Sequence, residues 1–499
     1  MYHIRTTKTA SGAIAVQIVR YENRKLIVVK HIGSGHTADE ILGLRHYAEK
    51  WILEFSKQQG LFDEETKTHT SQLIGLDKCR YLGIRYTFIY DVLRSLTAKF
   101  KFLSCVDTLL LDLVIIRLIE PASKLQSFEL LKEYFNIKHR RQIFYEKLPY
   151  YCANKNTIEK LVTDFAVKEF SFDYSIVFYD VTTLYFESFK SDALRKPGFS
   201  KDGKSNQPQI IVGLMVNNLG FPVGYEMFKG NKFEGHTMIP VIKDFCTKNN
   251  VETMTVVTDA AMISIENIEA LKTKKLSYIV GARTANLSIV QIRKIAAHLR
   301  RRDGATIRIQ TKHGTLICSF SAKRESKDRH EMEKQLKKAK FYLKNPALMK
   351  KTRFLKFAGK NGFEINKEVK EKAKLLLGIK GYYTNLGQEI EDRIVIGHYK
   401  NLWHVEQAFR IAKNDLETRP IYHSKKEAIS VHLLICFMAL AISKYIEIKT
   451  DKSLKHVIRK FMKITDADIL DTLSQKVFTM RSQIPPEVFD YLSRLEVPY

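Results

Sequence analysis

IVFYDVTTLYFE, residues 176–187, opens on an apolar run with the length and β-branched content of a strand buried on both faces, and that run closes on an acidic side chain, Asp180. TMTVVTDAAMIS, residues 253–264, repeats the pattern and closes its run on Asp259. Open α/β sheets place their sites at the ends of buried strands. Taken singly, an aspartate there is more simply a turn former or helix N-cap, because its side chain satisfies local backbone donors. Two such aspartates on two such strands shift the balance toward a shared site.

A third carboxylate lies in HYKNLWHVEQAFRIAKNDL, residues 398–416. At helical pitch Leu402, Val405, Phe409, Ala412 and Leu416 form one apolar stripe, while Tyr399, Glu406 and Lys413, spaced by sevens, line its edge. Alone, Glu406 reads as a solvated rim residue with a lysine for charge balance. Beside two aspartates it completes a set of hard oxygen donors suited to magnesium or a similar divalent ion. Phosphodiester cleavage calls for such a set, since two metal ions about 4 Å apart both generate the nucleophile and neutralise the leaving oxygen.

The segments between the acids predict an α/β fold. QIIVGLMVNN and FPVGYEMFKG read as strands joined at Leu219-Gly220. IPVIKDFCTKNN and ISIENIEALKTKK read as helices, with SYIVGAR as a further strand. Three antiparallel strands followed by alternating helix and strand make a mixed sheet, with Asp180 on its first strand and Asp259 at the end of its fourth. From Arg283 to Gly378 the pattern changes to a hairpin turning at His313-Gly314 and a charged helix, SKDRHEMEKQLKKAKFYL, before GIKGYYTNL returns as a strand. The lysines of that helix read equally as a solvated face or a DNA contact.

Composition fits a polyanionic partner. The 499 residues carry 82 Lys+Arg against 54 Asp+Glu, a formal net charge of +28 and a pI near 9.6. Such an excess favours nucleic acid through counterion release, although general basicity gives the same number. Gly198 to Ser205, GFSKDGKS, matches a phosphate-loop pattern letter for letter, but a basic stretch with Pro197 precedes it and a strand follows it, so the helix that would cradle phosphate is missing and no nucleotide is expected. Lys201 and Lys204 read better as cations of a loop beside Asp180 that touches DNA phosphates.

Six cysteines without a C-x-x-C pair point to reduced thiols and to neither a disulfide frame nor a zinc site. His423 and His432 read as core or surface histidines rather than ligands. No apolar signal segment opens the chain, and the run from Val431 to Ile442 is too short to span a bilayer, so no membrane partner is expected and the location reads as cytoplasmic, with the nucleoid.

Separate modules precede the α/β region. AIAVQIVRY and KLIVVKHIG alternate as paired strands around Glu22-Asn23, ADEILGLRHYAEKWILEFSKQQG is an amphipathic helix, and FDEETKTHTSQ is a candidate linker. Residues 86–172 read as helical, with breaks at Pro121 and near Asn136 and Pro149. The expected division is therefore 1–75, a hairpin and helix; 76–172, helical; 173–447, α/β with an insertion at about 284–377; and 448–499, helical. The last of these is a candidate dimer contact.

Tyr399, Glu406 and Lys413 resemble the Y-x2-R-x3-E-x6-K signature of one branch of bacterial insertion-sequence DDE transposases. YDVTTLYFES, VTDAAMIS, DLETRPIYHSKKEAISVHLLICFMAL, and the opening TASGAIAVQIVR with HIGSGH are similar to that branch as well. The resemblance implies an RNase H-like catalytic domain with a strand-rich insertion before the last catalytic helix. It also implies Asp180, Asp259 and Glu406 as catalytic residues holding two Mg2+ or Mn2+ ions, and Tyr399 and Lys413 on DNA phosphates. The partners would be terminal inverted repeats, read by the helical region 76–172, and target DNA, with two subunits on paired ends. One position departs from the signature: its arginine is Leu402 here, leaving Lys400 or Arg410 to supply a cation. Two other readings stay open, a catalytically impaired DNA-binding protein of the same fold and a metal-dependent nuclease without strand transfer.

Overall fold

The structure is a computed structural model that describes residues 2–22, 25–56, 78–200, 203–204, 206–262, 264–348, 350, 352–358, 362–472 and 474–498. The expected linker, residues 62–72, lies outside them.

At the N-terminus β1 (Tyr2–Lys8), β2 (Ile14–Glu22) and β3 (Lys25–Gly35) form an antiparallel sheet covered by α1 (Ala38–Ser56). Val16 and Ile18 of β2 bury against Leu44 and Ala48, one turn apart on the helix's apolar stripe. The β2–β3 hairpin is as expected. β1 is an addition to the expected elements, because only Tyr2 and Ile4 among its seven residues offer apolar surface. Strand β4 (Cys79–Arg85) follows.

Six helices come next: α2 (Thr87–Lys99), α3 (Thr108–Ile119), α4 (Lys124–Phe135), α5 (Arg141–Glu146), α6 (Leu148–Ala153) and α7 (Lys155–Phe170). Their ends have local causes. Asp107 accepts from the Leu110 backbone N–H at the start of α3, Asn136 closes α4 in the left-handed region at φ 56°, and Pro149 sits in the first turn of α6 where no N–H is needed.

The α/β region begins with β5 (Ile176–Tyr185), β6 (Gln209–Val216) and β7 (Pro222–Lys229), paired antiparallel in succession. Helix α8 (Met238–Asn249) leads to β8 (Thr255–Thr258), and α9 (Ile265–Thr273) leads to β9 (Ser277–Ala282). β8 runs parallel to β5, and β9 parallel to β8. The resulting order, β7-β6-β5-β8-β9, is that of an RNase H-like sheet. It agrees with the expected mixed α/β fold, and every residue of β6 is buried.

After α10 (Ile289–His298), β10 (Thr306–Thr311) and β11 (Gly314–Phe320) turn at Gly314, whose φ is +95°. They are followed by α11 (Ala322–Lys344), the short pair β12 (Leu355–Phe357) and β13 (Phe363–Ile365), and α12 (Lys367–Leu375). β14 (Ile379–Thr384) then inserts between β11 and β9, which completes an eight-stranded sheet ordered β10-β11-β14-β9-β8-β5-β6-β7. The residues between β11 and β14 carry a small core of their own around Ala339, Phe354 and Ala373.

Helices α13 (Asp392–Lys400) and α14 (Trp403–Arg410) return to the sheet, α13 against β8 and β9 and α14 against β5 and β6. α15 (Lys426–Thr450) packs on β7 and on α3, α6 and α7. It is longer than the expected run from Val431 to Ile442. At 25 residues it is long and apolar enough to cross a membrane, but 94% of its apolar window is buried inside the protein.

The remainder is α16 (Leu454–Phe461), β15 (Asp466–Asp471), β16 (Lys476–Arg481) and α17 (Pro486–Arg494). Residues 448–499 are expected to be helical, and the two strands correct that expectation. Asp466, Asp468 and Asp471 obscure the strand in sequence, yet in the sheet Asp466 pairs with Arg481 at 2.5 Å and Asp468 with Arg85 at 2.7 Å. β15 lies between β16 and β4. The chain thus divides into two compact units, residues 1–91 with 459–489 and residues 92–458 with 490–499, rather than at the boundaries read along the sequence. The reason is that β15 pairs with β4, from the other end of the chain, while the helices from α3 to α7 share a core with β7 and α15.

Candidate active site

Parallel pairing sets Tyr179 opposite Thr258, so Asp180 and Asp259 follow at the next position of neighbouring strands, whose backbones run about 4.8 Å apart. The surroundings of the two differ from expectation in one respect. Asp259 stands just past the last residue of β8, but Asp180 lies in the middle of β5, which continues through Val181, Thr182, Thr183, Leu184 and Tyr185 paired with β6. Those five residues keep strand character because Val181, Thr182, Thr183 and Leu184 are all buried. Each carboxylate is oriented by backbone: Asp180 Oδ1 accepts from Val181 N–H at 2.7 Å, and Asp259 Oδ1 from Ala261 N–H at 2.8 Å.

Glu406 lies exposed on α14 and has no hydrogen bond or ion pair among the described residues. The helix carrying it is not the unbroken one expected for residues 398–416. Before Glu406 the backbone ladder tightens to i−3 bonds, Leu402 to Tyr399, His404 to Asn401 and Val405 to Leu402. After it the ladder widens into a π-helical segment, Ile411–Asp415, closed by Leu416 N–H donating to Ile411 C=O at 2.9 Å. Such segments recur at functional sites. Tyr399 and Glu406 therefore sit on two α-helices separated by a tightened turn and Lys413 on a π segment, and spacing by sevens does not by itself align them.

What joins the acids is Tyr399. Its phenol is pushed up to about 12, first by burial and then by the negative charges of Asp259, Glu406 and Asp180 and by Tyr382. The charges of all three carboxylates thus act on one hydroxyl, which keeps its proton across the physiological range and so remains able to donate. Its niche is cut by a glycine: a Cβ on Gly281 of β9 would collide with the Tyr399 hydroxyl and lie 3.2 Å from the backbone N of Ala260. The Tyr382 ring meets the Tyr399 ring edge-on at 4.9 Å.

The expected cations are spread out. Lys413, on the π segment, lines a small apolar cavity with Thr182 and Phe409. Lys400 is exposed at the end of α13 and Arg410 is exposed at the end of α14. Lys204 lies 3.9 Å over the Tyr185 ring and 3.6 Å from Glu187, close to the end of β5. Lys201 is outside the described residues. Leu402 is buried at 5% exposure, so the residue in the arginine position of the signature packs into the core.

Three residues escape a reading of the sequence: Gly281, Lys380 and Tyr382. Lys380 Nζ lies 4.5 Å from the Tyr399 ring centre and 5.6 Å from that of Tyr382. Its pKa is lowered, chiefly by burial and then by Arg324, while Glu406 works in the opposite direction and Lys400 in the same. The alternating GIKGYYTNL carried a signal, since Lys380 and Tyr382 share one face of the strand.

Among the described residues no three His, Cys, Asp or Glu side chains stand close enough together to hold an ion as placed. In type the three carboxylates suit a hard divalent cation, and the charge of each reaches the Tyr399 phenol. His423 and His432 offer no alternative. The His432 ring contacts the Thr418 carbonyl at 3.0 Å, and burial pushes His423 down to about 3 and His432 well below its ordinary range.

Residues 171–442 match the family described as the transposase DDE domain. This match covers more than half of the chain, and the protein belongs to that family. Among solved structures the chain is similar to a piggyBac transposase synaptic complex with hairpin DNA, at 10% identity over 75% of this chain and 77% of that one, with a TM-score of 0.40. It is also similar to the Mos1 transposase paired-end complex with left transposon end, at 12% identity over 47% of this chain and 66% of that one, with a TM-score of 0.16. Both likenesses are distant. No curated protein sequence matches the chain.

Proposed function

We propose that this transposase-family protein is the transposase of a bacterial insertion sequence, binding terminal inverted repeats and carrying out DNA cleavage and strand transfer. The observation that carries the reading is the placement of Asp180 on β5 beside Asp259 just past the end of β8, with Tyr399 from the segment leading to Glu406 seated between β9 and the Asp259 turn. Asp180, Asp259 and Glu406 would hold two Mg2+ or Mn2+ ions. Divalent ions bound there supply an activated water or 3′-hydroxyl and neutralise the leaving oxygen.

The chain's own groups do the rest. The backbone bonds to Asp180 and Asp259 hold two carboxylates in fixed directions, while Glu406 stays available on an exposed turn. Tyr399 donates from a protonated phenol to a phosphate oxygen and does not become a nucleophile, so no covalent protein–DNA intermediate forms. Lys413, Lys400, Arg410, Lys201 and Lys204 contribute positive charge toward the DNA backbone. A homodimer on paired ends, a helical end-reading region within residues 76–172 and a cytoplasmic, nucleoid-associated location belong to the same proposal.

The test is cleavage of a supercoiled plasmid carrying the element's two ends, with magnesium, comparing wild type with Asp180→Ala, Asp259→Ala and Glu406→Ala. End-specific cutting by wild type is expected, with a loss of about a thousandfold or more in each variant while DNA binding remains. A wild type that binds the ends without cutting would favour the second reading, a DNA-binding protein of impaired catalysis. Burial of Leu402 favours that reading, and Leu402→Arg is then the informative substitution. Cutting without strand transfer would identify a nuclease.

A further inference from the structure

A groove of about 880 Å³ opens beside Tyr399 on the outer part of the sheet. Its floor follows from register. Thr306, Ser319 and Lys380 lie in one row across β10, β11 and β14, and Arg308 and Tyr382 belong to the next row but one. One wall is the start of α11 with Arg324; the other is α13, where Arg393, Ile396 and Lys400 fall on one helical face.

The charges in this groove do not cancel. Asp392 is taken by Arg308 at 2.5 Å, Glu391 receives Arg393 at 3.1 Å, and Asp303 accepts from the Ala322 N–H at 2.6 Å. Arg324 has only a 3.4 Å contact to Asp328. Lys380 and Lys400 have no ion pair among the described residues, although Lys380 is half-buried and near Lys400. Arg308, Arg324, Lys380, Arg393 and Lys400 line this space against Asp303, Glu391 and Asp392, and that excess of positive charge, with both lysines outside any ion pair among the described residues, makes a receptor for a polyanion. Continuity sets which polyanion: the Lys380 ammonium stacks on the Tyr399 ring at 4.5 Å, so the groove begins where the candidate active site ends.

We infer that this groove binds the phosphates of the DNA strand leading away from the scissile bond, with Lys380 as the positioning residue that joins groove to active site and with Lys400 and Arg324 holding the next phosphates. This inference rests on the reading of Asp180, Asp259 and Glu406 as the reaction centre. An ammonium resting over the Tyr399 ring, beside the edge-on Tyr382 ring, is steadied before DNA arrives, which lowers the ordering cost of the contact.

The test separates binding from cleavage. Affinity for an end-bearing duplex is measured by fluorescence anisotropy over a range of salt for wild type, Lys380→Gln, Lys400→Gln, Lys380→Arg and the double glutamine variant. Each lost phosphate contact should shrink the slope of log affinity against log salt by about 0.9, with the double variant losing about twice that and Lys380→Arg keeping the wild-type slope. Lys380→Gln should also cut plasmid cleavage more than Lys400→Gln, because the Lys380 ammonium lies over the Tyr399 ring. Unchanged slopes in both glutamine variants would overturn the inference even if wild type cleaves its ends. Reduced slopes with a wild type that never cleaves would uphold the groove and reject the reaction centre. If Lys380→Gln fails to fold, exposed Lys400 decides the matter alone.

Discussion

The strands that carry Asp180 and Asp259 and the helical segment that carries Glu406 supply the same chemical group in opposite ways. β5 and β8 are buried, regularly paired and held by register, with Val177, Phe178 and Val256 fully enclosed. The Glu406 segment is wound three ways between Tyr399 and Leu416, and its carboxylate is exposed, with no partner among the described residues. Two fixed carboxylates and one adjustable carboxylate would suit the proposed site, which has to admit a bulky duplex before it closes around the reacting phosphate. Tyr399 is the coupling between the two halves, since it lies on the helical side and its hydroxyl is seated on the strand side.

The strongest way to break that coupling is to fill the niche. Gly281→Ala puts a methyl group where the Tyr399 hydroxyl sits, and cleavage should fall by about ten- to a hundredfold with a stability cost of about 1–3 kcal/mol by urea denaturation. Adding Tyr399→Phe removes the colliding oxygen, so the double variant should recover stability relative to Gly281→Ala and lose little further activity relative to Tyr399→Phe alone. Strictly additive losses in this cycle would show that the glycine and the tyrosine are not coupled.

A smaller effect sharpens the role of the phenol. With its pKa raised to about 12, Tyr399 is protonated at every pH from about 6 to about 9, so the ratio of wild-type to Tyr399→Phe cleavage rates should stay flat across that range. A ratio that climbs tenfold per pH unit would mean that the phenolate is the working form.

The strand half of the site was legible because buried parallel strands write themselves as continuous β-branched runs, and such a run ends at a recognisable acid in TMTVVTD. Asp180 reads as a strand end because a charged residue interrupts the apolar run; the sheet tolerates it mid-strand, where its side chain is half-buried rather than enclosed. The helical half was legible only as composition. No Pro or Gly marks the tightened turn at Asn401-Leu402, and the π segment has no sequence punctuation, while Leu402, Phe409 and Ile411 keep the apolar stripe buried through both distortions. Alternation in GIKGYYTNL puts Lys380 and Tyr382 on one strand face but does not say what that face meets. The significance of Lys380 depends on β14 inserting between β11 and β9, a pairing between distant segments that periodicity does not encode. Charges hid β15 as well, until their partners on β16 and β4 were in place.

The central claim is that Asp180, Asp259 and Glu406 contact divalent metal directly, and exchanging the ligand atom tests it most directly. Asp180→Cys, Asp259→Cys and Glu406→Cys are assayed for plasmid cleavage with Mg2+ and with Mn2+ in turn. Magnesium rejects sulfur ligands while manganese accepts them more readily, so the account predicts variants inactive with Mg2+ and partly restored by Mn2+, at least for the two strand aspartates. Variants equally active with both ions, or equally dead while the wild type cuts and the variants still bind DNA, would contradict direct ligation by these residues.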